Sequence, residues 1–293
     1  MLQIAAGKGS NTRMILSITP NPALDRTLVV PRYGEGGVFR PQQQIAGAGG
    51  KGINVARAAV ALGSEATALG FLAGHTGKLF AEFSEREHIK SRWTWLHDGE
   101  TRTCIVLLDP GARRTSVINE FGPPASAEDW HALQADALLE AKHASTICVC
   151  GSLPAGSPIN AFRTLIAALR DTGKPVWADT SGAALDAALM PGVNIKISHD
   201  EAAELLGTPI ETAEEAAQAT EELSRRIGGA KAIIIKAVVE STTNYTVLDV
   251  NEGTEKREAD AYISAYAKGG KPIGEFSSQA QALDKAFELC PEG

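Results

Sequence analysis

Apolar positions alternate between two periods along this chain. Short apolar runs at Ile15–Ile18, Ala66–Phe71, Thr146–Cys150, Val176–Asp179, Asn194–Ile197 and Ala232–Ile235 are bounded by turn residues and predict strands. Between them, apolar residues recur every third or fourth position. That spacing predicts amphipathic helices over Ile53–Leu62, Gly77–His88, Asn160–Thr172, Ser181–Leu189, Asp200–Leu206 and Thr212–Ile227. A further helix starts at Ser126 and runs to about Lys142; Asp129, three positions on, gives it a capping-box start. Glycines at 63, 173, 207 and 228 close helices, as the left-handed C-terminal position favours. Strand and helix in alternation predict an α/β fold with a mainly parallel sheet and right-handed connections.

Two segments break this rhythm, about 27–45 and 91–120. Thr27–Val30 predicts a short strand, and residues 31–45, with Pro31, Gly34, Gly36, Gly37 and Pro41, predict turns and edge strands. Thr103–Asp109 and Thr115–Asn119 predict a hairpin around Pro110-Gly111. After Ile235 the pattern resumes in a different form. A strand is expected over Tyr245–Val250, and helices over Glu255–Ala267 and Gln279–Leu289.

Composition narrows the class. A chain of 293 residues forms one large α/β domain or two smaller ones. A net charge of −7 with no basic stripe argues against a nucleic-acid partner. No apolar run is long enough to span a membrane, and Met1–Arg13 lacks the apolar centre of a signal peptide, so a cytoplasmic location is expected. Of the four cysteines, Cys148 and Cys150 alternate on one strand face; without a second ligand pair they read as core thiols, not a metal site.

The strongest chemical signal is Gly47-Ala48-Gly49-Gly50-Lys51-Gly52-Ile53-Asn54-Val55-Ala56-Arg57. Its glycines let the backbone approach a ligand closely. A glycine-rich turn feeding a helix N-terminus presents N–H groups to anionic or oxygen-rich ligands. Alone it reads equally well as a structural turn, because it is neither a P-loop nor a dinucleotide fingerprint.

Four more motifs accompany it. Asn21-Pro22-Ala23-Leu24-Asp25 follows the first strand, and Gly99-Glu100-Thr101-Arg102-Thr103 precedes another. Gly151-Ser152-Leu153-Pro154-Ala155-Gly156 and Asp179-Thr180-Ser181-Gly182 each follow a strand. In this order they resemble the ribokinase-like carbohydrate kinases of the phosphofructokinase B branch, in particular 1-phosphofructokinases and tagatose-6-phosphate kinases. The resemblance covers Met14 to Ile235. Met14 looks like the start of the family domain, with residues 1–13 a leader or cloning remnant and 236–293 a divergent C-terminal segment.

The resemblance implies a three-layer ribokinase-like fold with a small β lid, formed by about 27–45 and 91–120, that covers the substrate and serves a homodimer contact. It implies that Asp25, Gly50 and Asn54 bind sugar hydroxyls and that Arg102, helped by Lys51, holds the phosphate the substrate already carries. Lys196, Ser198 and Glu201 are implied on the nucleotide side, Glu201 as a contact to Mg²⁺ and its waters. The cofactors implied are ATP and Mg²⁺, and the substrate is a ketohexose phosphate such as fructose 1-phosphate, fructose 6-phosphate or tagatose 6-phosphate. Read without the family, Asp25 is a turn residue, Arg102 a solvated side chain, and Glu201 equally a helix N-terminal carboxylate.

The sequence also departs from the family. The pattern Lys-Pro-Asn-x-x-Glu stands here as Lys196-Ile197-Ser198-His199-Asp200-Glu201. The late Gly-Ala-Gly-Asp, which gives the family its base and its anion hole, does not occur in residues 236–293, nor does the glycine turn that precedes it. No catalytic residue is therefore assigned. Three readings stand: a sugar-phosphate kinase with impaired transfer, a sugar-phosphate-binding protein of kinase descent, and a recombined chain.

Overall fold

The computed structural model describes residues 14–228 and the backbone of 233–236. The strands are β1 (Met14–Thr19), β2 (Ala23–Val29), β3 (Gln43–Gly49), β4 (Glu65–Leu72), β5 (Lys90–Trp95), β6 (Thr103–Asp109), β7 (Arg114–Asn119), β8 (Thr146–Cys150), β9 (Val176–Asp179), β10 (Val193–Ser198) and β11 (Ile233–Lys236). The helices are α1 (Lys51–Ala61), α2 (Gly74–Arg86), α3 (Ala127–Ala141), α4 (Ile159–Arg170), α5 (Gly182–Ala188), α6 (His199–Leu206) and α7 (Ala213–Ile227).

The main sheet has the order β11-β10-β9-β8-β1-β4-β5, and every pairing in it is parallel. Successive side chains on a strand point to opposite faces. Leu16 and Ile18 of β1, with Leu69 and Phe71 of β4, face a core completed by Trp130 and Leu133 of α3 and by Phe162 and Leu165 of α4. Ala66, Ala68 and Leu72 of β4 face a second core, with Ile53 and Ala56 of α1 and Phe80 of α2. Helices cover both faces, which is why these strands read as nearly continuous apolar runs. Trp130 anchors the larger core edge-on, its ring centroid 5.1 Å from Phe71 and 6.0 Å from Phe162.

Helix ends follow the sequence signals. Ser126, Ser198 and Thr212 form reciprocal capping boxes with Asp129, Glu201 and Glu215. Gly207 and Gly228 close α6 and α7 in the left-handed conformation.

A second, mixed sheet has the order β3-β2-β6-β7. β2 runs antiparallel to β3 and parallel to β6, and β6–β7 is the expected hairpin. Two expectations need correction. Residues 91–95 do not leave the main sheet; they lie in β5, parallel to β4 at its edge. An edge strand needs no continuous apolar run, and Lys90 and Arg92 are exposed on it, paired with Glu65, Asp136 and Glu140. Strand β2 also begins at Ala23, four residues before the expected Thr27, so Asp25 lies within a strand and not in a turn. Arg114, at the start of β7, stacks 4.3 Å above the Tyr33 ring and lies 3.3 Å from Asp109. The expectations for residues 1–13, Tyr245–Val250, Glu255–Ala267, Gln279–Leu289 and Cys290 fall outside the described residues.

Candidate functional site

The main sheet reverses its strand order at β1. From β1 the chain crosses to β4 on one side, and later returns as β8 on the other. Loops leaving the carboxyl ends of β1 and β8 therefore diverge and open a crevice. Gly50 heads α1 there with φ 119°, a conformation that favours glycine, and a Cβ on it would come within 3.0 Å of Thr19 Cγ2. Buried Asn21 knits the rim: its Nδ2 donates to Phe121 O at 3.1 Å, and to Ser152 Oγ and Leu153 O at 3.2 Å. The Gly151–Gly156 loop is thus tied to the Asn21–Asp25 segment.

Asp25 projects from β2 over Gly49. A Cβ on Gly49 would lie 2.0 Å from the Asp25 Cγ, so only glycine leaves room for the carboxylate. Cys104 is its partner in the parallel β2–β6 register. Burial pushes the Asp25 carboxyl above its ordinary range, and the Arg102 and Arg57 guanidiniums and a hydrogen bond from the Cys104 thiol pull the other way. Asp25 is therefore a half-buried hydrogen-bond acceptor held near two cations.

Arg102 is also half-buried, and burial lowers its pKa against the opposing pull of Cys104, Asp25 and Glu120. Its Nε donates to Asn21 O at 3.1 Å and its Nη1 to Glu120 O at 3.3 Å. These carbonyls fix the guanidinium plane and leave the rest of its donors for a ligand. The preceding residues staple the loop down. Thr101 Oγ1 accepts from Ala73 N at 2.8 Å, and Glu100 Oε2 accepts from Thr76 N at 2.7 Å at the start of α2. Those amide contacts, with Thr76 and then His75, hold the Glu100 carboxyl down to about 2.

Across the crevice, Asp179 at the end of β9 bridges two lysines. Lys51 Nζ of α1 lies 2.8 Å from its Oδ1, and Lys196 Nζ of β10 lies 3.0 Å from its Oδ2. The structure thus joins Lys51, expected on the sugar side, to Lys196, expected on the nucleotide side. Ser198 and Glu201 are engaged with each other: Glu201 Oε2 accepts from Ser198 N at 2.7 Å and from Ser198 Oγ at 2.9 Å. Among the described residues, no group of three acidic, histidine or cysteine side chains is placed to hold a metal ion. Cys148 and Cys150 remain thiols; burial pushes Cys148 up to about 11 and Cys150 higher still.

Asn54 stands on the exposed side of the first turn of α1, and Arg57 Nη1 donates to its Oδ1. Arg57, Asn21 and Asp179 stand inside the sequence motifs, where no task is assigned to them. Spacing alone could have signalled only Arg57, three positions after Asn54 on one helix; the contacts of Asn21, and of Asp179 with Lys51, join residues more than 80 apart.

The pfkB family carbohydrate kinase profile matches residues 21–255, past the Ile235 at which the motif resemblance ends. A tagatose-6-phosphate kinase from Staphylococcus epidermidis is 31% identical over 196 residues, 66% of this chain. The chain spans 62% of that relative's length. A 1-phosphofructokinase from Haloferax volcanii is 34% identical over 214 residues, covering 73% of this chain and 68% of the relative. Among solved structures, phosphofructokinase-2 from Escherichia coli in complex with fructose-6-phosphate superposes with a TM-score of 0.69 at 22% identity, covering 89% of this chain and 88% of that one. Its tetrameric inhibited form gives 0.70 at 23%, covering 89% of both. At that identity the superpositions establish the fold.

Proposed function

The chain belongs to the pfkB family of carbohydrate kinases, and from that premise we propose that its crevice binds a ketohexose phosphate and that its activity is ATP-dependent phosphorylation of that sugar. One observation carries the reading. An acceptor, Asp25, and a half-buried guanidinium fork, Arg102, flank the crevice where Gly50 and Asn54 head a helix. Asp25 suits a sugar hydroxyl, and Arg102 suits a phosphate, which it can grip with parallel hydrogen bonds. The second sheet, which carries Asp25, serves as the lid.

Lys196 is the cation proposed for the nucleotide phosphates, and Lys51, joined to it through Asp179, assists Arg102 on the sugar side. Mg²⁺ in kinases is held by one or two carboxylates together with substrate phosphates, and keeps several waters. Asp179 at the end of β9 and Glu201 in the first turn of α6 are the carboxylates that would hold it. When bound, the ion neutralises charge on the transferred group.

A second reading rests on a specific observation: residues 236–293 contain no Gly-Ala-Gly-Asp. Loss of a positioned base costs roughly 10²–10⁴-fold, so a sugar-phosphate-binding protein with slow transfer is the alternative. A coupled ADP-release assay with Mg-ATP and a panel of hexose phosphates separates the two. Turnover on the order of 1–100 s⁻¹ supports the kinase, and binding without turnover supports the alternative. Calorimetry tests the site itself. Arg102→Ala should weaken sugar-phosphate binding by about 1.5–3 kcal/mol, the range for hydrogen bonds to charged groups. Equal affinity for phosphorylated and unphosphorylated sugar would refute the role of Arg102.

A further inference from the structure

We propose that Arg57 is a positioning residue for the sugar side of the crevice: it turns the Asn54 amide so that the NH₂ group, and not the carbonyl, faces the ligand. The proposal rests on the sugar-phosphate reading above for the identity of that ligand.

The argument starts from donor chemistry. A guanidinium has donors only. Arg57 Nη1 lies 2.5 Å from the Asn54 side chain, so the atom facing it must be Oδ1, and the opposite end of the amide is the NH₂ group. Three and four residues apart on a helix, side chains are neighbours, so the contact is built into α1. Arg57 is itself locked. Its Nε lies 2.6 Å from Glu87 Oε2, and its Nη2 lies 3.1 Å from Glu87 Oε1. This is a two-point grip of the kind that fixes a guanidinium plane. The same Nη2 donates to Ala48 O in β3 at 2.6 Å. Arg57 therefore ties together α1, the C-terminal end of α2 and the strand that leads into Gly49-Gly50.

Two consequences follow for recognition. Asp25, when ionised, only accepts, and Asn54 as oriented offers donors. A hydroxyl both donates and accepts, so this pair reads sugar hydroxyls with complementary polarity. Glu87 balances the charge of Arg57 beside the crevice, which leaves Arg102 as the cation for the substrate phosphate.

Calorimetry with fructose 6-phosphate and fructose 1-phosphate, together with ¹⁵N relaxation of the Asn54 side-chain amide, tests the proposal on the full chain. Arg57→Ala should release the amide to fast motion and weaken sugar-phosphate binding about 10- to 100-fold, as loss of a charged hydrogen bond predicts. Arg57→Lys should restore part of both. Two near-isosteric variants guard against misfolding. Asn54→Asp keeps its partner in Arg57 but presents an oxygen where the NH₂ stood, and should bind at least as weakly as Arg57→Ala. Glu87→Gln loosens the grip and should weaken binding less than Arg57→Ala does. Affinity for a fluorescent ATP analogue should stay unchanged in all four.

A rigid Asn54 amide in Arg57→Ala, or wild-type sugar-phosphate affinity in Arg57→Ala and Asn54→Asp, overturns the proposal. A wild-type chain that binds neither sugar phosphate overturns the functional reading instead. The positioning role is then decided by relaxation alone: an amide fixed in wild type and freed in Arg57→Ala upholds it, and one mobile in both overturns it.

Discussion

At the scale of single residues, binding and stability pull against each other at Asp25. Its carboxyl is raised above the ordinary range, chiefly by burial, so the folded state holds the charged form at a disadvantage. That disadvantage is fully present above the raised pKa and vanishes below the ordinary one, where both states are protonated. Asp25→Asn should therefore abolish measurable sugar-phosphate binding while raising the melting temperature at pH 7. The gain should shrink to nothing as the pH falls below the ordinary aspartate value. Glu100 has the opposite sign. Its folded pKa of about 2 lies below the ordinary 4.5, so it contributes stability above 4.5 that is lost as the pH falls towards 2. Glu100→Gln should melt below wild type at pH 7, and the two melting curves should converge near pH 2. A constant offset between them at every pH would refute this assignment.

At the scale of elements, the approach of α1 to β1 sets the crevice. A Cβ at Gly52 would meet Thr19 Oγ1 at 2.3 Å, Ser17 Oγ at 3.0 Å and Ile18 O at 3.1 Å. Ser17 Oγ also donates to Gly52 O at 2.7 Å, so the helix rests directly on the strand. Gly52→Ala should cost about 1–3 kcal/mol by overpacking. It should also weaken sugar-phosphate binding, because Gly50 and Asn54 move with the helix. Urea denaturation and calorimetry check the two effects separately; a destabilised variant with unchanged affinity would show that the crevice tolerates the shift. The motif legible in the sequence as glycine-rich is thus required for two reasons, a positive φ at Gly50 and bare contacts at Gly49 and Gly52. Sequence pattern alone does not distinguish them.

At the scale of the whole molecule, the larger core and the second sheet make separate predictions. Trp130 is 1% exposed and bridges Phe71 and Phe162, so Trp130→Ala should cost about 3–5 kcal/mol in urea unfolding. The second sheet and the residues just after it leave Ile45, Val117, Ile118 and Phe121 between 53% and 84% exposed. Such exposure suits a contact between two copies through the lid, the association proposed. Ile118→Asp should then shift the chain to monomer in sedimentation velocity. A wild type that sediments as a monomer at high concentration would end that proposal.

The sequence by itself determined the layers of this protein and the family it belongs to. Apolar period, the helix cap at Ser126 and glycine stops are local signals, because each depends on residues a few positions apart. Five motifs in order carried the family and its expected residues, Asp25, Gly50, Asn54 and Arg102 among them. Tertiary structure decided what those residues touch. It put Asp25 inside a strand over Gly49, bridged Lys51 and Lys196 through Asp179, and placed Lys90–Trp95 at the edge of the main sheet. It also set Arg57 between Asn54 and Glu87. The physical reason is the same in each case. Hydrogen bonds and ion pairs form between groups brought together by strand order and register, and partners such as Lys51 and Asp179, 128 residues apart, leave no periodic trace in the chain.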